Sequence, residues 1–550
     1  MTARDAQTSP APARTTDLPA GWFWAGTACI TAAVAAALAV FLRAWPPHED
    51  EVLVLFVGRG SLPHVLHTVV MQRGGAPLHF VLAWAVVHLG GGLTALRALS
   101  LIFAAGSVAA IAALGARLAD RWAGLVASAL AGASWVLLFH GVFGRMYSLF
   151  LFASTLSFIA LLDALERGGR RRFALWIVAL LATLAAHPYA FLVLVAQALY
   201  VGLRRARRQQ AFSALAVVVV LATPLWWADV VLKGRFDVGV GGGGSRLGSP
   251  GAVAHYFWWV SGDFAAGHHG WSVPVLLLAA AGFALLARRR RTSGLLTACV
   301  LAVPALAFLV VKLHASASPE ARHLIFALPF FSTLLAVPIV AVGRIAPRVT
   351  APLAAAAVVV LLVGEVQWAH RKTPALFDGD PVAQQHARAD AAAWLADGAR
   401  PDDVLLGYEP LFLAAWERNP AFSAHALPRA DPRLLGSALR KLPVPLGRGI
   451  WVFDASDTTN ARPSGTIRLA LPKPPRMFVA RAFGPYLVIR TRAALHTHAR
   501  YLAVAENVMR LGRALSIGDA DVNLHTMLLA ADRIYGSSRS SSRSSSTISR

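Results

Sequence analysis

Residues 22–51 read WFWAGTACITAAVAAALAVFLRAWPPHEDE, and this stretch decides the fold. From Trp22 to Leu42 there is no Asp, Glu, Lys or Arg. A helix rises about 1.5 Å per residue and a bilayer's hydrocarbon core is about 30 Å thick, so about 20 apolar residues cross it. The run ends at Arg43 and Pro46-Pro47, and three consecutive carboxylates follow at once in His48-Glu49-Asp50-Glu51. A membrane span that delivers an acidic cluster to the bilayer surface is the pattern to extend along the chain.

Similar apolar runs recur at 94–116, 122–140, 146–165, 210–231, 272–287, 293–312, 323–342 and 349–365. The stretch 173–203 is too long for one span and is broken by His187-Pro188, so it reads as a helical hairpin. The expected fold is therefore an α-helical polytopic membrane protein with about eleven transmembrane helices. Composition agrees: of 550 residues 56% are hydrophobic and only 15% charged, against roughly 25% charged in an ordinary globular protein. A single soluble domain is excluded.

The charge orients the chain. With 52 basic and 28 acidic residues the formal charge is +24, which would suit nucleic acid only if the basic residues shared a folded, soluble face. They do not. Sixteen of the 28 basic residues before Val366 occupy five short loops: Arg117 and Arg121; Arg167 with Arg170, Arg171 and Arg172; Arg204, Arg205, Arg207 and Arg208; the arginines 288–291; and Arg344 with Arg348. The positive-inside rule places these loops in the cytoplasm. The His187-Pro188 turn, the 232–271 and 313–322 loops and everything after Glu365 then lie outside, in a multi-pass protein of the plasma (inner) membrane. No nucleic-acid partner is needed.

The same parity makes 44–93 one outer loop with juxtamembrane helices, because 77–89 is too short to cross. Residues 1–20, rich in Ser, Thr, Pro and Ala, read as a disordered N-terminus. The membrane domain spans 21–365. From 366 to 536 hydrophobicity falls and soluble patterns appear: a helix-like 387–396, short apolar runs at 404–406, 411–416, 450–453 and 477–488, and turns at Pro401-Asp402-Asp403 and Phe483-Gly484-Pro485. This predicts an extracytoplasmic C-terminal α/β domain, followed by a disordered Ser/Arg tail at 537–550. Cys29 and Cys299 both fall within spans, so neither a disulfide framework nor a cysteine metal cage is expected.

Charged side chains are missing from the centres of the expected spans. One there costs about 2.5–3.5 kcal/mol or more, and ion-coupled carriers accept that cost because their mechanism requires the charge. This disfavours such a carrier and turns attention to the outer helix ends. The acidic cluster at 49–51 is either a solvated turn or a general base or cation site, where low dielectric and neighbouring carboxylates raise a pKa and keep one carboxyl protonated near neutrality. His255, Tyr256, Trp258 and Trp259 are either an aromatic platform or, the reading favoured by composition, an interfacial belt. His268-His269 with His48 and His314 show no ligand spacing, so no metal site is assigned and a divalent metal is unsupported.

Several features together resemble the GT-C superfamily of polytopic glycosyltransferases, in the branch of protein mannosyltransferases and aminoarabinose transferases. They are the first span with Asp50-Glu51 opening the outer loop, Ala76-Pro77-Leu78-His79-Phe80, Leu96-Arg97-Ala98-Leu99-Ser100, Arg145-Met146-Tyr147-Ser148-Leu149, and Arg322-His323-Leu324 leading to Leu328-Pro329. The resemblance covers roughly residues 20–365. It implies transfer of a sugar from a polyprenyl-phosphate carrier to a glycan, lipid or protein acceptor at the outer face, without a cofactor. Asp50 matches the position of the catalytic base, and Glu51 is its acidic neighbour. The family's lysine before Pro-Pro-Leu is absent, since this chain has Gly75-Ala76-Pro77-Leu78; Arg73 is the candidate substitute.

Such chemistry needs a base for the acceptor proton and basic donors for the departing phosphate. In the expected topology Arg145, His187, Lys312, His314, Arg322 and His323 all lie at outer helix ends. Arg145 with Tyr147 and Arg322 with His323 are the preferred pairs; the plain alternative for each is a helix-end anchor at the interface. The expected reaction moves mannose or a pentose-like sugar with inversion. The alternative is a lipid or polysaccharide flippase without glycosyl transfer.

Overall fold

The computed structural model describes residues 17–236, 247, 249–267, 271–310, 320–407, 409–419, 425–427, 432–454 and 476–514. The expected disordered tail, most of the N-terminal segment, the glycines 239–244, and His268, His269, Lys312 and His314 lie outside the described residues.

Every expected span is realised as a helix or a bent helix pair. Among the described residues seven helices are long and apolar enough to cross a membrane, the first being Ala20–Ala44. The number rises to nine when two bent pairs each count as one span: Arg121–Ala133 with Trp135–Val142, bent by 61°, and Arg208–Leu221 with Thr223–Lys233, bent by 57°. The hairpin arms Arg170–Ala186 and Ala190–Arg204 have only 17 and 15 residues, fewer than the roughly 20 of a full crossing. The expected eleven spans thus become seven to nine of full length and one short hairpin. The bends have local causes. Ser134 leaves the helix for an extended conformation while its Oγ donates to Ala131 O at 2.7 Å, and Pro224 opens the second half of the other pair without an N–H to continue the ladder. Large apolar side chains such as Val40, Val220, Leu277, Val310 and Leu353 are exposed on these helices, as lipid-facing positions require. The chain is a multi-pass membrane protein.

The helices separate two chemically different ends. The 21-residue helix Tyr147–Arg167 is about 30 Å long, with Tyr147 at one end and the arginine loops at the other. At the arginine end Asp163 meets Arg117, Arg167 and Arg172 at 3.6, 3.3 and 3.0 Å, and Arg344 meets Asp120 at 2.9 Å. At the opposite end residues 44–93 form Glu49–Gly58, Leu62–His67, a π-helical turn Thr68–Arg73 and Pro77–His88. The last of these has 12 residues and is too short to cross. Val52, Val54, Leu55, Val65, Val69, Phe80 and Leu96 make a buried core for this loop, joined by Leu413 from the C-terminal region.

The helix Pro347–Lys372 runs through the expected boundary near 366. Beyond it, β1 (Val404–Gly407), β2 (Gly449–Asp454), β3 (Phe478–Phe483) and β4 (Tyr486–Thr491) form one sheet in the order β1-β2-β4-β3, parallel between β1 and β2 and antiparallel elsewhere. Val404, Leu406, Trp451, Phe453, Leu487 and Ile489 pack on the side of Pro432–Lys441 and His498–Ala514. Leu405, Ile450, Val452, Tyr486 and Val488 pack on the side of Val382–Gly398 and Glu409–Arg418. Both faces are covered, so the strands read as short apolar runs without polar alternation. Gly484, at φ 52°, makes the tight β3–β4 turn.

Candidate active site

The site is built at the end that carries residues 44–93, beginning with the start of Glu49–Gly58. His48 caps this helix: its Nδ1 accepts from Asp50 N at 3.2 Å, and its own N–H donates to Glu51 Oε2 at 3.2 Å. The neighbouring carboxylates then diverge. Glu51 is fully buried. It accepts Arg97 Nε at 2.9 Å and Gly144 N at 2.7 Å on Oε1, and Arg97 NH2 at 2.6 Å and His48 N on Oε2. Arg97 also donates to Trp45 O and Pro46 O at 2.7 and 2.8 Å. A carboxylate has about four lone-pair sites, and all four on Glu51 are used. Gly144 suits this approach, because a Cβ there would lie 3.2 Å from Glu51 Oε1 and 3.1 Å from Leu96 Cδ2. Glu51, expected beside Asp50 in the catalytic pair, is held by these contacts in the turn that presents Asp50.

Asp50 is half-buried, and its backbone carbonyl accepts Arg145 NH1 at 3.2 Å. Burial pushes its carboxyl up, but Arg145, His48, Arg322 and Arg73 outweigh it and hold the group well below the usual carboxylate range. The expectation that the acidic cluster raises a pKa fails here, because the charges facing Asp50 are arginines. Glu51, the nearest acid, is itself neutralised by Arg97.

Arg145, 7% exposed, and Arg322 each have an Nε without a hydrogen-bond partner. Arg322 NH2 reaches Glu320 Oε1 at 2.5 Å, and its Cζ lies 5.1 Å from the Tyr147 ring centroid. Arg73 is buried over Phe80, 4.8 Å from its centroid. Of the sequence-predicted residues, Arg73, Arg145, Tyr147 and Arg322 thus act electrostatically with Asp50, and His187 and His323 adjoin Tyr147; Lys312 lies outside the described residues. Phosphate is the anion this excess of guanidinium suits.

The histidines share one tautomer. His187 Nδ1 accepts Tyr189 N at 3.1 Å and His323 Nδ1 accepts Glu320 N at 2.8 Å, as His48 Nδ1 accepts Asp50 N. Each ring, when neutral, therefore carries its proton on Nε2 and is a donor there. Burial, with Arg322 and Arg145 nearby, pushes His187 down to about 3. Burial also lowers His48 despite Asp50 and Glu51. His187 and His323 lie 5.7 Å apart, with His187 5.4 Å from Tyr147 and His323 stacked on Tyr189 at 4.7 Å.

Sequence reasoning gave no role to His79, His140, Asp263 or Lys372. His79 is buried, with Nε2 unpartnered, and burial and Arg145 push it down to about 3. His140 sits inside an apolar run, and Asp263 and Lys372 are 109 residues apart, so no local pattern links them. Among the described residues no group of three His, Cys, Asp or Glu side chains is placed to hold a metal ion.

No family model and no curated protein matches the chain. Solved structures do. ArnT from Cupriavidus metallidurans in its apo state aligns with TM-score 0.51 and 13% identity, covering 86% of this chain and 98% of that one. The oligosaccharyltransferase of Archaeoglobus fulgidus in its apo form aligns with TM-score 0.51 and 12% identity, covering 79% of this chain and 70% of that one. Both neighbours are membrane glycosyltransferases of the GT-C fold, and this chain has that fold.

Proposed function

We propose that the chain is a membrane glycosyltransferase that moves a sugar from a polyprenyl-phosphate carrier to an acceptor hydroxyl at the extracytoplasmic face of the plasma membrane. The observation that carries this reading is Asp50. It is an ionised carboxylate with an arginine-rich surround, next to a second carboxylate whose lone pairs are all taken. Arg145 and Arg322, each with an Nε still open, and the Nε2–H groups of His187 and His323 are the donors for the carrier phosphate. Arg73, buried and acting electrostatically on Asp50, is the candidate in place of the lysine missing before Ala76-Pro77. The fold likeness and the sequence resemblance support the same class. The sugar is mannose or a pentose-like ring.

In the reaction the acceptor oxygen attacks the anomeric carbon from the face opposite the phosphate. The carbon–oxygen bond to phosphate breaks, polyprenyl phosphate leaves with the bonding pair, and the acceptor proton passes to Asp50, giving inversion. Guanidinium and imidazole donors stabilise the negative charge gathering on the leaving phosphate. The same arginines depress Asp50, so a bound phosphate that draws on their charge raises the carboxylate's basicity at the step that needs it. Base strength and donor occupancy are thereby coupled.

The test uses purified full-length protein in liposomes with a radiolabelled polyprenyl-phosphate sugar. Wild type is expected to give acceptor-dependent transfer and release of polyprenyl phosphate; Asp50→Asn is expected to bind donor but transfer nothing. Donor lipid crossing the bilayer without glycosyl transfer, unaffected by Asp50→Asn, would establish the flippase reading instead.

A further inference from the structure

A cavity of about 360 Å³ has His48, two residues before Asp50, and Arg322 in its wall. Ligand pockets run from roughly 300 to 1,000 Å³, so this one suits a small ligand. One side carries Lys372, whose Nζ is 2.5 Å from both carboxylate oxygens of Asp263 and 3.6 Å from the Trp135 ring centroid. Trp368 Nε1 also donates to Asp263 at 3.1 Å. The other side carries the Glu320–Arg322 pair. Lys372 and Asp263 cancel as one ion pair, which a free ion would bind only by stranding a partly buried partner; Glu320 offsets Arg322, whose unpartnered Nε is the donor assigned to the carrier phosphate.

Besides Arg322 Nε, the unpartnered polar atoms in the described wall are those of His140. His140, in its wall, is 1% exposed and neither ring nitrogen has a partner. A neutral imidazole offers one donor and one acceptor, which together match a hydroxyl group that also does both. Trp259, 46% exposed, and the buried Tyr256 add aromatic surface to the same wall, suited to the C–H face of a sugar ring. The run at 255–259, favoured as an interfacial belt on composition, thus contributes His255, Tyr256 and Trp259 to a pocket. Among the described residues no strand lines the cavity to pair with an extended peptide.

We propose that this cavity is the acceptor subsite and takes an uncharged carbohydrate ring, so that the acceptor is a glycan. The inference rests on Asp50 as the base of a glycosyl transfer. His48 joins the two: its ring forms part of the cavity wall and accepts the Asp50 N–H, so a sugar held against His140 and Trp259 has a hydroxyl directed to the Asp50 side. His140 and Trp259 are acceptor-binding residues, and the Lys372–Asp263 pair positions the wall.

The experiment is saturation-transfer NMR on the full-length chain in nanodiscs. The probes are methyl α-mannopyranoside, methyl α-arabinofuranoside and a Gly/Ser/Thr hexapeptide. The glycoside ring protons are expected to saturate in wild type and in Asp50→Asn. His140→Phe, which keeps the ring and removes its nitrogens, and Trp259→Ala are expected to weaken glycoside binding about tenfold, a typical loss for one neutral contact. The same variants raise the acceptor KM and leave the donor KM unchanged. Saturation of the peptide alone, of no probe, or of the glycosides equally in wild type and His140→Phe overturns the proposal. Transfer that survives Asp50→Asn overturns the base assignment while leaving the binding result intact, so the two failures are separable.

Discussion

The two ends of the helix bundle both concentrate arginine, and they use it differently. At the loop-arginine end Arg117, Arg167 and Arg172 share Asp163 with side chains 24–64% exposed. Water screens these pairs, so each contributes little to stability. At the Asp50 end the arginines are more deeply set, and they divide again. Arg97 is consumed by Glu51, Trp45 and Pro46, whereas Arg145 and Arg322 keep open donors. Saturated buried charge fixes structure; unsaturated buried charge marks where an anion completes the set.

This division orders the predictions. Asp50→Asn is expected to lower kcat by at least the roughly 10²–10⁴ usual for a positioned acid or base, which takes transfer below detection, with donor affinity retained in an equilibrium binding measurement. Glu51→Ala strands the Arg97 guanidinium and is expected to destabilise the fold by about 3–5 kcal/mol, read as a lower melting temperature in detergent. If Glu51→Ala instead keeps full stability and loses only activity, the separation between the two carboxylates breaks. Arg322→Gln is expected to cost about 10²–10³ in kcat, as for the removal of one charge-stabilising donor. At the other end Asp163→Asn is expected to change stability by no more than about 1 kcal/mol and leave kcat unchanged.

pH sharpens the comparison. The Asp50 carboxyl is depressed, so it is ionised above its folded pKa and loses base function only as pH falls through that low value. Donor-limited kcat/KM, which reports the free enzyme, is therefore expected to show no acid limb from Asp50 between about pH 5 and 8. Arg145→Gln removes the largest of the opposing charges and is expected to bring an acid limb upward toward that window. An acid limb already present in wild type, and unmoved in Arg145→Gln, would contradict the arginine field around Asp50.

Much of the bundle was legible because apolar length and arginine loops are local signals. The breaks at Ser134 and Thr223-Pro224 were not, since a bent pair and a straight helix have the same hydropathy. In the C-terminal domain the short apolar runs at 404–406 and 450–453 became β1 and β2, while 411–416 became part of the helix Glu409–Arg418. A run that short fits either structure until its partners are known. At the site, Asp50, Arg145, Tyr147, Arg322 and His323 stood out through their place at outer helix ends. The different roles of Asp50 and Glu51 could not be read locally, because Glu51 is claimed by Arg97, 46 residues away, and Gly144, 93 residues away. His140 and the Lys372–Asp263 pair were hidden for the same reason: their meaning comes from the cavity.

The most direct test of the central claim is product analysis in proteoliposomes loaded with an anomerically defined polyprenyl-phosphate sugar. Wild type is predicted to release one polyprenyl phosphate for each sugar transferred and to give a product of inverted anomeric configuration, with both signals lost in Asp50→Asn. Retained configuration, or transfer that persists in Asp50→Asn, would contradict the account.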